Sequence, residues 1–174
     1  MLIKVTPRLR WAARALCHGQ SLGRCGILRW ADQNWPLLSW VARTHAALYR
    51  GSHGILGHCL PGLPPALLLD HYGARTGRRR TTPLLYGRDG LCFIVVASKG
   101  GHPENPAWFY NLLAHPDAVV QVGASRLRVR ARVANLEQYE HLWEIMTDLY
   151  SGYEIYRRRT QRVIPIVILE PENP

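Results

Sequence analysis

Cysteine is scarce and unpatterned in these 174 residues. Cys17, Cys25, Cys59 and Cys92 show no Cys-x-x-Cys spacing, which points to free, mostly buried thiols in a reducing compartment rather than a disulfide framework. Acid is scarce as well: 12 Asp+Glu stand against 22 Lys+Arg, a formal charge of +10. No apolar run approaches the ~20 residues of a membrane span. Residues 1–30 lack the compact apolar stretch and small-residue cleavage site of an export signal. Serine-hydrolase, zinc-protease, Walker and dinucleotide-glycine motifs are all missing. The eight histidines do not pair at the short spacings that zinc favours, so no metal site is expected.

What is present is a chain long enough for one good core, with 47% hydrophobic residues. The charge is uneven: residues 1–50 hold eight basic side chains and one acid, leaving fourteen against eleven for the rest. Four of the six tryptophans, Trp11, Trp30, Trp35 and Trp40, also lie in that early segment. Pro7 to Cys17 permits an amphipathic helix with arginines around an apolar side, the kind that lies on an anionic membrane. An unpatterned leader is the competing reading. We take residues 1–37 as a basic, Trp-rich leader and residues 38–174 as the folded domain.

Leu38 to Tyr49 repeats apolar residues (Leu38, Val41, Ala42, His45, Leu48) at helical spacing, with Gly51 as a stop. Strands are expected at Ala66–His71, at Thr81–Tyr86 and, after a Gly87–Gly90 hairpin turn, at Leu91–Ala97. Pro83 cannot donate to a ladder, which sends its strand to an edge. Asn105 as cap and Pro106 at the first helical position open a helix that runs to Ala114. A second hairpin turns at Gly123-Ala124-Ser125. In its second strand Leu127, Val129, Ala131 and Val133 alternate with Arg126, Arg128, Arg130 and Arg132. Asn135 caps a helix with Leu136, Tyr139, Leu142, Trp143, Met146 and Leu149 as its stripe. A helical piece at Glu154–Arg159 and a strand at Val163–Leu169 close the chain. Hairpins with helices between them make an α+β chain, an antiparallel barrel or sandwich with peripheral helices.

Three polar clusters stand at the ends of apolar segments. The first is a turn with Arg75, Thr76, Arg78, Arg79 and Arg80. The second is Ser98-Lys99-Gly100-Gly101. The third is a tyrosine ladder, Tyr150, Tyr153 and Tyr156. Glycines let backbone amides approach an anion, and Arg and Lys add charge and forked hydrogen bonds. A solvated turn, a strand-ending turn and a structural ladder are the bland readings of the same residues. Taken together, the first two clusters read as one phosphate pocket, and the tyrosines as rings that pack on a planar ligand.

The blocks Gly73-x-Arg75-Thr76-Gly77-x-x-Arg80-Thr81-Thr82-Pro83-Leu84, Arg88-Asp89-Gly90, Ala97-Ser98-Lys99-Gly100-Gly101 and Asn105-Pro106-Ala107-Trp108-x-x-Asn111-Leu112 resemble the deazaflavin-dependent nitroreductase and quinone reductase family of actinobacteria. His115-Pro116, the tyrosine ladder and Arg162-x-Ile164-Pro165-Ile166 extend the likeness, which covers Leu38 to Pro171. It implies a split β-barrel of the FMN-binding split-barrel type and coenzyme F-420, an 8-hydroxy-5-deazaflavin with a phosphate and an oligoglutamate tail. It also implies hydride transfer from the reduced coenzyme to a menaquinone-like quinone or a nitro compound. By position, Arg75, Thr76, Arg80, Ser98, Lys99, Gly100 and Gly101 would hold the phosphate and tail. Pro83, Trp108 and Asn111 would shape the deazaflavin side, and Tyr150, Tyr153 and Tyr156 would line the acceptor pocket as the catalytic group. Ala74 stands where the family usually has Arg, and Arg79 where it has Pro, so a basic group has moved. Phe109 replaces a more usual Tyr, which bears on acceptor preference. A cytoplasmic protein, peripheral on the inner face of the cell membrane, is expected. The alternatives are a basic β-barrel for single-stranded nucleic acid, using the arginines of the alternating strand, and a split barrel that uses FMN.

Overall fold

The computed structural model describes residues 35–54, 57–58 and 64–172. The chain divides after Trp35 into two compact units. The Pro7–Cys17 helix and most of the 1–37 leader lie outside the described residues.

The elements run α1 (Trp35–Gly51), β1 (Ala66–Tyr72), β2 (Arg79–Leu85), β3 (Gly87–Asp89), β4 (Cys92–Val96), a 3-10 turn (Lys99–Gly101), α2 (Ala107–Ala114), β5 (Asp117–Val122), β6 (Ser125–Val133), α3 (Leu136–Leu149), α4 (Gly152–Arg159) and β7 (Ile166–Pro171). Seven antiparallel strands form one curled sheet in the order β2-β1-β5-β6-β7-β4-β3. This is the split-barrel arrangement of antiparallel strands with peripheral helices that the sequence implies.

Period-two alternation decides which side each residue serves. The inner face holds Leu67, Leu69, Phe93, Val95, Val120, Val129 and Leu169, with Trp108, Phe109 and Leu112 of α2 packed among them. On the opposite face, Ile94, Val96, Ile166 and Ile168 meet Leu142, Trp143, Met146 and Tyr153 from α3 and α4. Leu68 packs with Ala46 and Tyr49 of α1. Across β6 the arginines are exposed, while Val129 is buried and Leu127 and Ala131 pack on the inner core.

Pro83 does lie on an edge strand. The Gly123-Ala124 turn pairs Val122 with Ser125, and the Asn135 side chain accepts from the Gln138 amide to start α3. Other expectations need correction. Gly87–Asp89 is a strand rather than part of a turn, and it pairs with β4 at the sheet edge opposite β2; Thr81–Tyr86 and Leu91–Ala97 are therefore not a hairpin. Asn105 does not cap α2, because Pro106 occupies the cap position in extended geometry with no side-chain bond. Leu136 is 92% exposed, a first-turn residue projecting past the core. On α1 the buried side is Ala46 and Tyr49, with Val41 and Leu48 exposed. Tyr49 sets that rotation, since its hydroxyl donates to the Ala66 carbonyl and accepts from the Gly123 amide.

Candidate functional site

The arginine turn is a compact backbone knot. Thr76 and Gly77 amides both donate to the Gly73 carbonyl, at 3.2 and 2.8 Å, and the Gly73 amide donates to the Arg78 carbonyl at 2.9 Å. Gly77 takes φ of 61°, a left-handed geometry that suits glycine. A Cβ on Gly73 would stand 2.8 Å from Thr76 Oγ1 and 3.2 Å from Arg80 Nε, so the bare backbone is what lets Arg80 lie across it. Arg75, Thr76 and Arg78 are exposed.

The two adjacent arginines that enter β2 part company. Arg80 is paired with His71 and shares the inner side of the sheet, whereas Arg79 is paired with Tyr72 on the outer side. There Arg79 reaches Asp70 at 2.6 Å. The basic group that stands where the family has Pro is therefore held by a carboxylate on the far face. It does not replace the family arginine at Ala74.

The turn is moored by a buried chain of polar groups that sequence reading did not assemble. The Ala74 amide donates to Asn111 Oδ1 at 2.9 Å. Asn111 Nδ2 donates to His71 Nδ1 at 3.2 Å, leaving His71 Nε2–H to donate to Thr82 Oγ1 at 3.1 Å. Burial, assisted by the Arg80 charge, pulls the His71 pKa down to about 4, so the ring is neutral at neutral pH and keeps this donor order. His71 was legible only as an alternating position beside a turn. Asn111 is 8% exposed and acts here as a mooring for the turn.

The Ser98–Gly101 loop is built differently. Lys99, Gly100 and Gly101 take φ of 47°, 66° and 81°, three successive left-handed residues; the Gly101 and His102 amides donate to the Ser98 and Lys99 carbonyls at 2.9 and 3.2 Å, and a turn of this kind is one that backbone can use to approach an anion. Its outward carbonyls are held by arginines. Arg162 donates to the carbonyls of Ala97, Ser98 and His102 at 3.1, 3.0 and 3.0 Å, and Arg159 donates to that of Gly100. A Cβ on Gly101 would meet the Tyr156 carbonyl at 2.7 Å, so α4 can pack here only against glycine. Lys99 Nζ lies 3.4 Å from Glu104. Arg162 was legible as part of a matching block, but its hold on the loop is a contact over 60 residues that no local pattern reveals.

The two turns flank α2. Asn111, toward its C-terminal end, holds the arginine turn, and the segment that enters it follows directly from the Lys99–Gly101 loop. Trp108 and Phe109 are both buried in the inner core, which gives Phe109 a packing role. Pro83 pairs with Leu68, the residue that packs on α1, so the structure does not bring it to the face that carries Arg80, Asn111 and Trp108.

Tyr150, Tyr153 and Tyr156 form a mutual cluster, with ring centroids 5.4, 6.0 and 6.2 Å apart. They are not equivalent. Tyr153 is 4% exposed and belongs to the core under α3, while Tyr150 and Tyr156 are half-buried and their hydroxyls meet at 3.4 Å. Burial pushes the Tyr153 and Tyr156 phenols well above their ordinary pKa, so both stay protonated and keep a neutral O–H donor. Among the described residues no group of His, Cys, Asp or Glu is arranged to hold a metal ion.

The site's donors suit a phosphorylated, carboxylate-bearing ligand: exposed guanidinium groups on one turn and a left-handed, arginine-braced loop on the other. Comparison with known proteins gives the same direction. A family model described as F420-H2-dependent quinone reductase matches residues 40–171. An F420-H2-dependent quinone reductase of Mycobacterium tuberculosis (strain H37Rv) is 42% identical over 146 residues, covering 82% of this chain and 97% of the relative. A solved F420-H2-dependent reductase, FDR-A, superposes with a TM-score of 0.58 at 36% identity, over 61% of this chain and 94% of that one. A second structure, a domain-swapped dimer, gives 0.60 at 34% identity over 76% and 98%. The chain belongs to the F420-H2-dependent quinone reductase family.

Proposed function

We propose that this oxidoreductase holds reduced coenzyme F-420 between the arginine turn and the Ser98–Gly101 loop and passes its hydride to a quinone. The observation that carries the placement is the pairing of an exposed arginine turn with a left-handed glycine loop at the two flanks of α2. When bound, the deazaflavin supplies the hydride; the protein's work is binding and orientation. Arg75 and Arg80 would neutralise the phosphate and tail carboxylates, with Thr76 adding a hydroxyl donor. Lys99 would add charge, and the backbone of Ser98, Gly100 and Gly101 the close approach. Asn111 keeps the arginine turn at its height above α2.

On the acceptor side, Tyr156 and Tyr150 are the phenols placed to donate a hydrogen bond to a quinone oxygen. Tyr153 supports them from beneath. A nitro compound, with its two planar oxygens, is a second acceptor of the same geometry. Peripheral attachment at the inner face of the cell membrane fits a lipid-soluble acceptor, and the basic, Trp-bearing early segment would supply it, at about 1 kcal/mol per basic residue near an anionic surface. No helix among the described residues is long and apolar enough to cross a membrane. The nucleic-acid reading has less support, because three of the four β6 arginines, Arg126, Arg130 and Arg132, are ion-paired with Asp70, Asp117 and Glu170 rather than forming one continuous unpaired row.

Fluorescence-quenching titration with F-420 tests the placement. Arg80→Ala and Lys99→Ala should each weaken binding on the order of 10- to 100-fold, the effect of one charge-assisted hydrogen bond. Full affinity in both variants would remove the pocket.

A further inference from the structure

We infer that the outer face of the sheet carries a second anion site, built around Asp70 and facing away from the proposed cofactor turn, for a small multivalent oxyanion of the phosphate class. The argument starts from an imbalance. Asp70 is 5% exposed, and burial alone would push its carboxyl up; hydrogen bonds from Thr81, Arg79 and Arg50 outweigh that and hold it below the ordinary range. Its Oδ1 takes Arg50 and Thr81, and its Oδ2 takes Arg79 and Arg126. Both oxygens are then filled, yet one negative charge faces three positive ones.

Arg79 and Arg126 each reach Asp70 with a single nitrogen, and a guanidinium carries five N–H donors in a planar fork. Both side chains are about half exposed. Arg128, two residues along the same face of β6, makes no ion pair among the described residues. Arg130 and Arg132, further on, have Asp117 and Glu170 as partners of their own. Positive charge is thus in excess at one end of the strand and balanced at the other.

That end is also hollow. A cavity of about 480 Å³ opens there, lined by Asp70, Tyr72, Arg79, Val119, Arg126 and Arg128 among others. Asp117 and Glu172 line it as well. Three lining arginines, Arg79, Arg126 and Arg128, meet three lining carboxylates, and Arg50 on Asp70 and Arg130 on Asp117, both from outside the lining, tip the local balance to positive. The volume lies within the range of small-ligand pockets, roughly 300–1,000 Å³. A compact anion with two or more charges can take forked hydrogen bonds from Arg79, Arg126 and Arg128 at once.

Titration of the full-length protein with inorganic pyrophosphate, followed by backbone amide shifts, tests this. The inference predicts saturable shifts at Tyr72, Val119 and Arg128, weakened as salt rises. Arg128→Ala should reduce that affinity about tenfold with no change in melting temperature, since this exposed side chain braces nothing else. Shifts at Ser98–Gly101 report the proposed cofactor pocket, so the two sites fail or succeed separately. Absence of saturable shifts at the three outer residues would overturn the inference. So would unchanged affinity in Arg128→Ala, or shifts of equal size at Arg130 and Arg132, which would mean diffuse charge along β6.

Discussion

The arginine turn and the Ser98–Gly101 loop flank the same helix and meet opposite requirements. The turn has its charged heads in solvent and its backbone moored at one amide, that of Ala74. The loop has a strained, left-handed backbone, and its carbonyls are pinned by Arg162 and Arg159 from a segment 60 residues away. Charge can be offered by flexible side chains that reorganise around a ligand. Backbone amides can be offered only by a chain already held in place, because left-handed geometry at a residue with a side chain costs of order 1–3 kcal/mol. Lys99, with its φ of 47°, carries that cost. The two halves of a single anion pocket are therefore expected to fail in different ways when perturbed.

The largest failure is expected from the bracing. Arg162→Ala removes one donor from each of the carbonyls of Ala97, Ser98 and His102; at about 1 kcal/mol each, stability should fall by about 3 kcal/mol, a drop in melting temperature of roughly 10 °C. Thermal unfolding checks it. A drop below a couple of degrees would mean that the loop keeps its shape unaided, and the contrast would dissolve.

Next comes the mooring of the turn. His71 has a folded-state pKa of about 4 against an ordinary 6.5, so the unfolded chain takes up the proton first. Stability present above pH 6.5 should decline as pH falls from 6.5 to 4, by about 3 kcal/mol. Asp70, held below its ordinary value, contributes only under that window. Denaturant unfolding at successive pH values would show the slope in the parent protein and its loss in His71→Gln. A parallel decline in both would assign it to other groups.

Smaller still is the effect on ligand binding alone. Asn111→Ala frees the Ala74 amide and should weaken F-420 binding about tenfold, the cost of one hydrogen bond. Arg79→Ala should leave that affinity within about twofold, because its guanidinium is on Asp70. An equal loss from Arg79→Ala and Arg80→Ala would erase the distinction between the faces. Tyr153→Phe is expected to change quinone turnover least, and Tyr156→Phe more, since only the latter phenol is half-open.

What could be read from the sequence was what repeats locally. The alternation of β6, the edge position of Pro83 and the Asn135 cap each need only neighbours along the chain. The phosphate-pocket residues were visible as residue types on turns, and the family likeness supplied the ligand. What escaped was set by partners far away. Gly87–Asp89 is a strand only because β4 is beside it, and Leu136 is exposed because α3 begins beyond the sheet. Arg79 and Arg80 are indistinguishable as letters until β1 fixes which of them opposes His71. Arg162 is an ordinary arginine until the loop it braces is folded against it.

That last pair has a consequence for how this family can vary. Since neighbouring positions on β2 serve opposite faces, the length of the β1–β2 connection acts as a parity bit. One residue inserted between Gly77 and Arg79 would exchange the two arginines, sending one basic group from Asp70 toward the cofactor side and the other outward. Two residues inserted would restore both. Insertions tolerated at this turn in related chains should accordingly come in even numbers, or arrive with a compensating change at position 70.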